Sequence, residues 1–440
     1  MTVAGTSTFA CADSGGDVQD IEHLSVAHDA VNAAAVDPCA LHPWSSEHAC
    51  SDGLRRAATN GPSTKPVKQW ATTTCTKNCG PWSNRLRVDA RGRLFGHFAY
   101  GLGGMGPAVF DQTTGEPTWL FSASAKAEAN QMATYYPIGL PANVALGAND
   151  TAYACITPQD ETTGDVSPPT ITAFDVRPGR APRKKWATTL PEPAFGPCED
   201  FFVTADGLVV VGMPSDVAVL DTSGHVRFVK RYQHAFKVVT EKAGPLYVEV
   251  TREPEPPYGT APAYLVGLDR TTGAELWSAD IPRIDESILG AIRGGVLARY
   301  YSTGPRATSI FFQSSQGSRD WTIDVTGLLR PVAATTPTNV FLAGVHEQAT
   351  LDLDTHSVSP PTTRDEPWYL ETKRVVIDQR GNRYITRTEK VGMALEAFDP
   401  SGNLLWEMSP MSGANDFVLG KDGWMYVANR NEVVAYRGTP

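Results

Sequence analysis

One phrase recurs along this chain: an apolar run, an acidic or amide residue, a short turn, then an aromatic. Val109-Phe110-Asp111-Gln112-Thr113-Thr114-Gly115-Glu116-Pro117-Thr118-Trp119 is one copy. Gly267-Leu268-Asp269-Arg270-Thr271-Thr272-Gly273-Ala274-Glu275-Leu276-Trp277 is another, and Ala397-Phe398-Asp399-Pro400-Ser401-Gly402-Asn403-Leu404-Leu405-Trp406 is a third. The marker positions are Asp111, Asp175, Asp221, Asp269, Gln313, Asp354 and Asp399, spaced 41 to 64 residues apart. An eighth, partial copy, Val433-Val434-Ala435-Tyr436-Arg437, closes the series. A self-similar period of this length means an array of like units that bury their faces on one another.

A second signal precedes each marker. Apolar runs break at Asp or Gly and then resume. Examples are Val88-Asp89-Ala90-Arg91-Gly92-Arg93-Leu94, Thr204-Ala205-Asp206-Gly207-Leu208, Ile377-Asp378-Gln379-Arg380-Gly381-Asn382 and Leu419-Gly420-Lys421-Asp422-Gly423-Trp424. Asp and Gly accept the positive φ of tight hairpins, so each break predicts a turn between strands. Each unit then holds four antiparallel strands, A to D, which is a propeller blade. The expected fold class is all-β: an eight-bladed β-propeller of four-stranded blades over residues 67–440. Seven units are complete, and the eighth, 416–436, lacks its outer strand. Val67-Lys68-Gln69-Trp70-Ala71-Thr72-Thr73 supplies it, because it nearly repeats the outer-strand phrase Lys184-Lys185-Trp186-Ala187-Thr188-Thr189. This closure pairs both chain ends in one sheet and leaves no open edge. Blade 6 is expected to be degenerate, with neither a Gly turn nor a Trp after Asp354.

The aromatic of each phrase falls on the outer strand, where an indole can lie against the next blade. Trp70, Trp119, Trp186, Trp277, Trp321 and Trp406 are assigned to docking between blades. Apolar burial makes each worth roughly several kcal/mol.

The phrase Ala/Gly-x-Asp-x-x-Thr-Gly-x-x-x-Trp resembles the repeat of the pyrroloquinoline-quinone-like (quinoprotein alcohol dehydrogenase-like) propellers, over about residues 67–437. The resemblance implies the fold. It does not imply one activity, because that group joins cofactor-using dehydrogenases to non-catalytic envelope proteins. The dehydrogenases carry adjacent cysteines over the quinone, whereas Cys11, Cys39, Cys50, Cys75, Cys79, Cys155 and Cys198 are all separated here. No set of carboxylates and Asn matches the group's calcium ligands residue by residue. The resemblance therefore points to the non-catalytic envelope type, with no cofactor and no resident metal.

The chain has 440 residues and a formal net charge of −10. No basic run marks a nucleic-acid interface, and no apolar run of about 18 residues marks a membrane span. Residues 1–66 lie outside the repeat and are rich in Ala, Ser, Asp and Gly, so they are expected to form a flexible secretory or tethering leader. Seven cysteines in a β-rich chain favour an oxidising compartment. Cys155 ends strand B of blade 2 and Cys198 precedes strand A of blade 3, which puts both at one face of adjacent blades. Cys75 with Cys79, and Cys39 with Cys50, are the other candidate pairs. Cys39, His42, His48 and Cys50 also make up a zinc-type ligand set, but their spacing is irregular and a disulfide is preferred. Cys11 follows Thr8-Phe9-Ala10, a small-residue approach like that before a lipid-modified cysteine, and is the lipidation candidate. A lipoprotein signal would also need a basic start and a longer apolar stretch, and the ten residues before Cys11 lack both.

In a propeller the A–B and C–D turns share one face, and the B–C and D–A connections share the other. The long connections, 123–142, 156–169, 252–262 and 356–370, all belong to the second face. Variable loops on a rigid scaffold are where recognition resides, so this face is expected to dock a protein partner. Its candidate anchors are Tyr135, Tyr136, Tyr258, Tyr300, Tyr301, Trp368 and Tyr369. Asp160 and Glu161 are read as a solvated acidic loop rather than a cation site. No Gly-x-Ser-x-Gly elbow or His-Glu-x-x-His motif is present, so no catalytic residue is assigned. The expectation is a monomeric, non-catalytic scaffold outside the cytoplasm. A quinone-dependent dehydrogenase with an atypical site, and a carbohydrate-active propeller, are the alternatives.

Overall fold

The computed structural model describes residues 37–43, 50–73, 86–100, 104–119, 143–157, 167–192, 194, 196–242, 244–252, 262–281, 288–301, 307–326, 330–334, 336–344, 347–363, 375–388, 393–411, 414–429 and 432–440. They form eight antiparallel sheets that follow one another along the chain. Blades 1 to 7 span 87–119, 143–189, 200–231, 234–281, 288–326, 330–363 and 375–411. Blade 8 takes three strands from 414–437 and its outer strand from Val67–Thr73. That strand pairs antiparallel with Glu432–Arg437, Val67 opposite Arg437 and Thr73 opposite Glu432. Inner strands touch from blade to blade, and Arg87–Val88 meets Ala414–Leu419 to close the ring. The fold is the expected eight-bladed β-propeller.

The core has no single centre. It is divided into apolar layers, one between each pair of blades. In Asp216–Leu220 of blade 3, Val217 and Val219 face blade 4, while Ala218 and Leu220 face blade 2. Burial on both faces is why the middle strands read as unbroken apolar runs. Outer strands have one wet face, so Arg183–Thr189 alternates between exposed and half-buried residues.

The aromatic phrase is a docking device with three parts. The first is a bulge. Gly267 pairs with Trp277 and Leu268 with Glu275, so Leu276 is the extra residue. The same slip singles out Gln69, Lys185, Arg227, Asp320 and Leu405, each one residue before an aromatic. A bulge bends its strand and re-aims the next side chain. All six bulged residues are exposed to solvent. The second part is the indole N–H, which donates to the next blade's turn: Trp70 to Gln112 O at 2.7 Å, Trp186 to Thr222 O at 2.9 Å and Trp277 to Ser315 O at 2.8 Å. The third is the turn glycine. A Cβ on Gly115, Gly224 or Gly317 would lie 2.4, 2.7 or 2.6 Å from the incoming indole. These glycines therefore serve both a positive φ and a close approach. Blade 3 uses Phe228 in the same role, against Gly273 of blade 4. Trp119 ends its strand, and its side chain lies outside the described residues.

Two markers shift. In blade 5 the residue that organises the turn is Ser314, not Gln313: the Ser314 hydroxyl accepts the N–H groups of Gln316 and Ser318. In blade 6 it is Asp352, not Asp354: Asp352 Oδ1 accepts the N–H groups of Asp354 and Thr355, both at 2.8 Å. The turn needs a short acceptor side chain at the strand end, whatever its identity. Blade 6 does have a left-handed turn residue, His356 at φ 51°. Its ring meets Trp321 of blade 5 at 4.9 Å between centroids. The missing outer aromatic of blade 6 is replaced from the other side. Arg383 of blade 7 lies over Phe341 of blade 6 and donates to Asp399 O at 3.1 Å.

The segment before the ring departs from expectation. A flexible leader was expected through residue 66, but residues 50–66 pack onto the disc. Ser51 O accepts Thr240 N–H, Asp52 O accepts Ala291 N–H, and Arg55 O accepts Ile377 N–H, at 2.9, 2.8 and 3.1 Å. The Thr59 hydroxyl reaches Gly420 O at 3.3 Å. These are the inner-strand ends of blades 4, 5, 7 and 8 on the A–B turn face. The contacts step from blade 4 through blades 5 and 7 to blade 8, so the strap runs along half of the ring on this face. Leu54 joins the apolar layer between blades 5 and 6, and Ala57 that of blades 7 and 8. Buried apolar groups and paired backbone hold it there.

Candidate functional site

The two faces of the disc are built differently. On the face of the A–B and C–D turns, every described connection is short and hydrogen-bonded within itself. Asp89 Oδ1 accepts Arg91 N–H and Arg93 N–H, Asp378 Oδ1 accepts Arg380 N–H and Asn382 N–H, and Asp269 Oδ1 accepts Thr271 N–H and Thr272 N–H. The Thr271 hydroxyl and the turn N–H groups hold the Asp269 carboxyl down at about 2. Asp378 Oδ2 also accepts Gly61 N–H at 3.2 Å, so a turn carboxylate helps to pin the strap. The strap completes one turn outright. Trp406 has no continuous turn to dock on in blade 8, and its indole donates instead to Pro62 O at 2.7 Å. Ser63 N–H donates to Thr439 O at 2.7 Å alongside it. Two chain segments thus stand in for the single turn used elsewhere.

A cavity lies on this face, where blades 1 and 2 meet. It has a volume of about 370 Å³ and is lined by Leu41, His42, Asp89, Arg93, Asp150 and Val176 among others. His42 follows the short helix Pro38–Leu41 and is buried. Its Nδ1 accepts Ala90 N–H at 3.0 Å, so Nε2 carries the proton and donates to Gly147 O at 2.9 Å. Burial lowers the His42 pKa below its ordinary value. Around it, Arg91 pairs with Asp150 at 2.8 Å, and Arg93 with Asp89 at 2.7 Å and Asp150 at 3.4 Å. Two guanidiniums answer two carboxylates, and the imidazole is neutral with both nitrogens engaged. The groups are spent on one another, which makes this a clamp joining the leader to two blades. Cys39 and Cys50 are joined by a disulfide that closes the loop carrying it, which sets aside the zinc-type reading. His48 lies outside the described residues.

The second disulfide, Cys155–Cys198, ties blade 2 to blade 3. Cys75, Cys79 and Cys11 lie outside the described residues, as do Tyr135, Tyr136, Tyr258, Trp368, Tyr369, Asp160 and Glu161. Tyr300 sits on the strand Gly295–Tyr301, half-buried, with its ring 5.9 Å from that of Phe311. It belongs to the layer between blades 4 and 5 rather than to a loop. The Tyr301 side chain lies outside the description. Among the described residues, no cluster of His, Cys, Asp or Glu is placed to hold a metal ion, and no helix is long and apolar enough to cross a membrane. Pro62, Phe228 and Arg383 escaped the sequence reading, in which His42 figures only as a zinc-type ligand. Only Phe228 left a signal, an aromatic four residues after Gly224.

No protein-family model matches the chain, and no curated protein matches it in sequence. Similar solved structures include BamB from Moraxella catarrhalis, with a TM-score of 0.39 at 12% identity over 67% of this chain and 95% of that one. A eukaryotic initiation factor gives 0.48 at 12% identity over 87% and 89%. The Pan2 WD40 domain of Neurospora crassa gives 0.44 at 13% identity over 69% and 93%. The class is defined by the chain's own sheets: an eight-bladed β-propeller closed by its N-terminal strand and strapped on one face.

Proposed function

We propose that this chain is a non-catalytic scaffold propeller of the pyrroloquinoline-quinone-like type. It works outside the cytoplasm, at the bacterial cell envelope, and docks a protein partner on the face of the B–C and D–A connections. The observation that carries the reading is the asymmetry of the two faces. Short turns and the strap of residues 50–66 occupy one, with their polar groups committed to each other. The long connections fall on the other, which leaves that face for recognition. Two disulfides favour an oxidising compartment. Tyr135, Tyr136, Tyr258, Trp368 and Tyr369 are the proposed anchors, with Tyr300 and Tyr301 at the edge of the same face.

The test is a cross-linked pull-down from the native envelope with three proteins: the wild type, Tyr135→Ala/Tyr136→Ala, and Lys421→Glu on the turn face. A partner should be held by the wild type and by Lys421→Glu, and reduced at least about tenfold by the double substitution. Equal capture by all three, or loss in Lys421→Glu alone, would remove the loop-rich face from the function.

A further inference from the structure

The chain is acidic overall, yet one sector of its rim is basic. Five of its 38 Lys and Arg residues, Arg177, Arg180, Arg183, Lys184 and Lys185, fall in the C–D turn and outer strand of blade 2. All five are exposed. Asp175 is their nearest acid and pairs with both Arg177 and Arg180, leaving that trio positive. Arg183 and Lys184 form no ion pair among the described residues. Blade 3 extends the sector. Its outer strand adjoins that of blade 2 through Trp186 on Thr222 O and Thr188 on Gly224 O, at 2.9 and 2.7 Å. It adds Arg227, half of whose side chain is exposed, although Asp221 answers its charge at 3.4 Å, so the excess charge rests on blade 2. Lys185 and Arg227 are both exposed bulge residues, and the Lys185 ammonium donates to the Thr151 hydroxyl at 3.1 Å. The other bulges carry Gln69, Leu276, Asp320 and Leu405, so the charge belongs to this sector and not to the device.

We propose that the rim of blades 2 and 3 docks on an anionic phospholipid surface. Lysine on an edge strand also guards against edge-to-edge pairing. Blade 8, whose outer strand is nearly the same phrase, does that with Lys68 alone between Val67 and Gln69. A single-stranded nucleic acid is disfavoured because such sites stack bases on exposed aromatics. Here Trp186 and Phe228 are turned into the blade junctions. What remains is an exposed strip of spread positive charge, which suits many weak phosphate contacts on a plane. The leader reinforces the geometry: His42 and Val176 line one cavity, and Arg177 follows Val176. The described start of the leader, Pro38–His42, therefore lies beside the basic sector. Each base within a Debye length of an anionic bilayer multiplies partitioning roughly fivefold.

The experiment is vesicle co-sedimentation of the full chain against phosphatidylglycerol vesicles, phosphatidylcholine vesicles and single-stranded DNA. The wild type should bind only the first, and added salt should release it. Lys184→Glu/Lys185→Glu should lose at least about twentyfold in partitioning. Lys68→Glu, in the matching strand of blade 8, should bind as the wild type does. All these positions are exposed, and equal thermal melts confirm that the variants are folded. No preference for phosphatidylglycerol, equal binding by the double variant, or binding to DNA without binding to vesicles would each overturn the proposal. The loop-rich face is a different surface, so this result is separable from that of the pull-down.

Discussion

Two titratable residues on the leader, the buried His42 and the half-buried Asp52, respond to pH with opposite signs. Burial pushes the Asp52 carboxyl up from 3.8 to about 6, with the Glu241 and Asp37 charges adding to it. A folded-state value above the unfolded one means stability that is complete below about pH 4 and lost as pH rises through about 6. Asp52→Asn keeps the acceptor for Leu54 N–H, seen at 3.0 Å. It should raise stability at neutral pH by about 1–3 kcal/mol and flatten the slope between about pH 4 and 6, as read from urea melts. His42 is the converse. Its lowered pKa means stability present above 6.5 and lost as pH falls through the folded value. Protonation would set a hydrogen on Nδ1 against the Ala90 N–H, with Asp89, Arg93 and Asp150 nearby. His42→Ala should cost about 1–3 kcal/mol at neutral pH and less in acid, checked by the same melts. Neither residue was legible as a site in the sequence. The Cys39-x-x-His42 spacing suggested metal chemistry, whereas the partners of His42 come from turns 48 and 105 residues away.

At the scale of the element, the repeated unit is a strand, a turn and a bulge that together deliver one aromatic. Gly224 and Gly179 separate the contributions. Both have positive φ, 89° and 76°, but a Cβ on Gly224 would meet the Trp186 indole, while one on Gly179 meets nothing within 4 Å. Gly179→Ala should cost about 1 kcal/mol from backbone strain alone, and Gly224→Ala about 2 kcal/mol more from the displaced indole. Equal losses in thermal melts would mean that the turn does no docking. Trp277→Ala should cost about 2–4 kcal/mol by opening the layer between blades 4 and 5. The strands, the turns and the closing strand were readable because apolar alternation and Gly-Asp turns are local signals. The bulges were not, because they are visible only against a partner strand. The markers in blades 5 and 6 slipped by one and two residues for a related reason. Letter matching favoured Gln313 and Asp354, while the turn required an oxygen at the true strand end, on Ser314 and Asp352.

For the whole molecule, closure and strapping are separate acts. A chain beginning at Val67 keeps the closing strand but loses Leu54, Ala57 and the backbone bonds of the strap. It should fold with a lower melting temperature, having lost several buried groups worth roughly 1–3 kcal/mol each. A chain beginning at residue 74 leaves the outer edge of blade 8 unpaired and should aggregate, as seen by size-exclusion chromatography. The basic sector also belongs to this scale. Five of its bases, Arg177, Arg180, Arg183, Lys184 and Lys185, are near neighbours in the sequence, and the structure adds that all five are exposed on one rim. The sequence by itself determined the number of blades, their four-strand plan and the ring closure, because each rests on local periodicity or on repetition; for the cysteines it offered candidate pairs, of which the structure joins Cys39 to Cys50 and Cys155 to Cys198. Only the tertiary structure decided that the leader packs along blades 4 to 8, that Pro62 completes the last turn and that Arg383 fills the slot of a missing indole. Those features depend on residues brought together from up to 344 positions apart, and no local pattern encodes such a meeting.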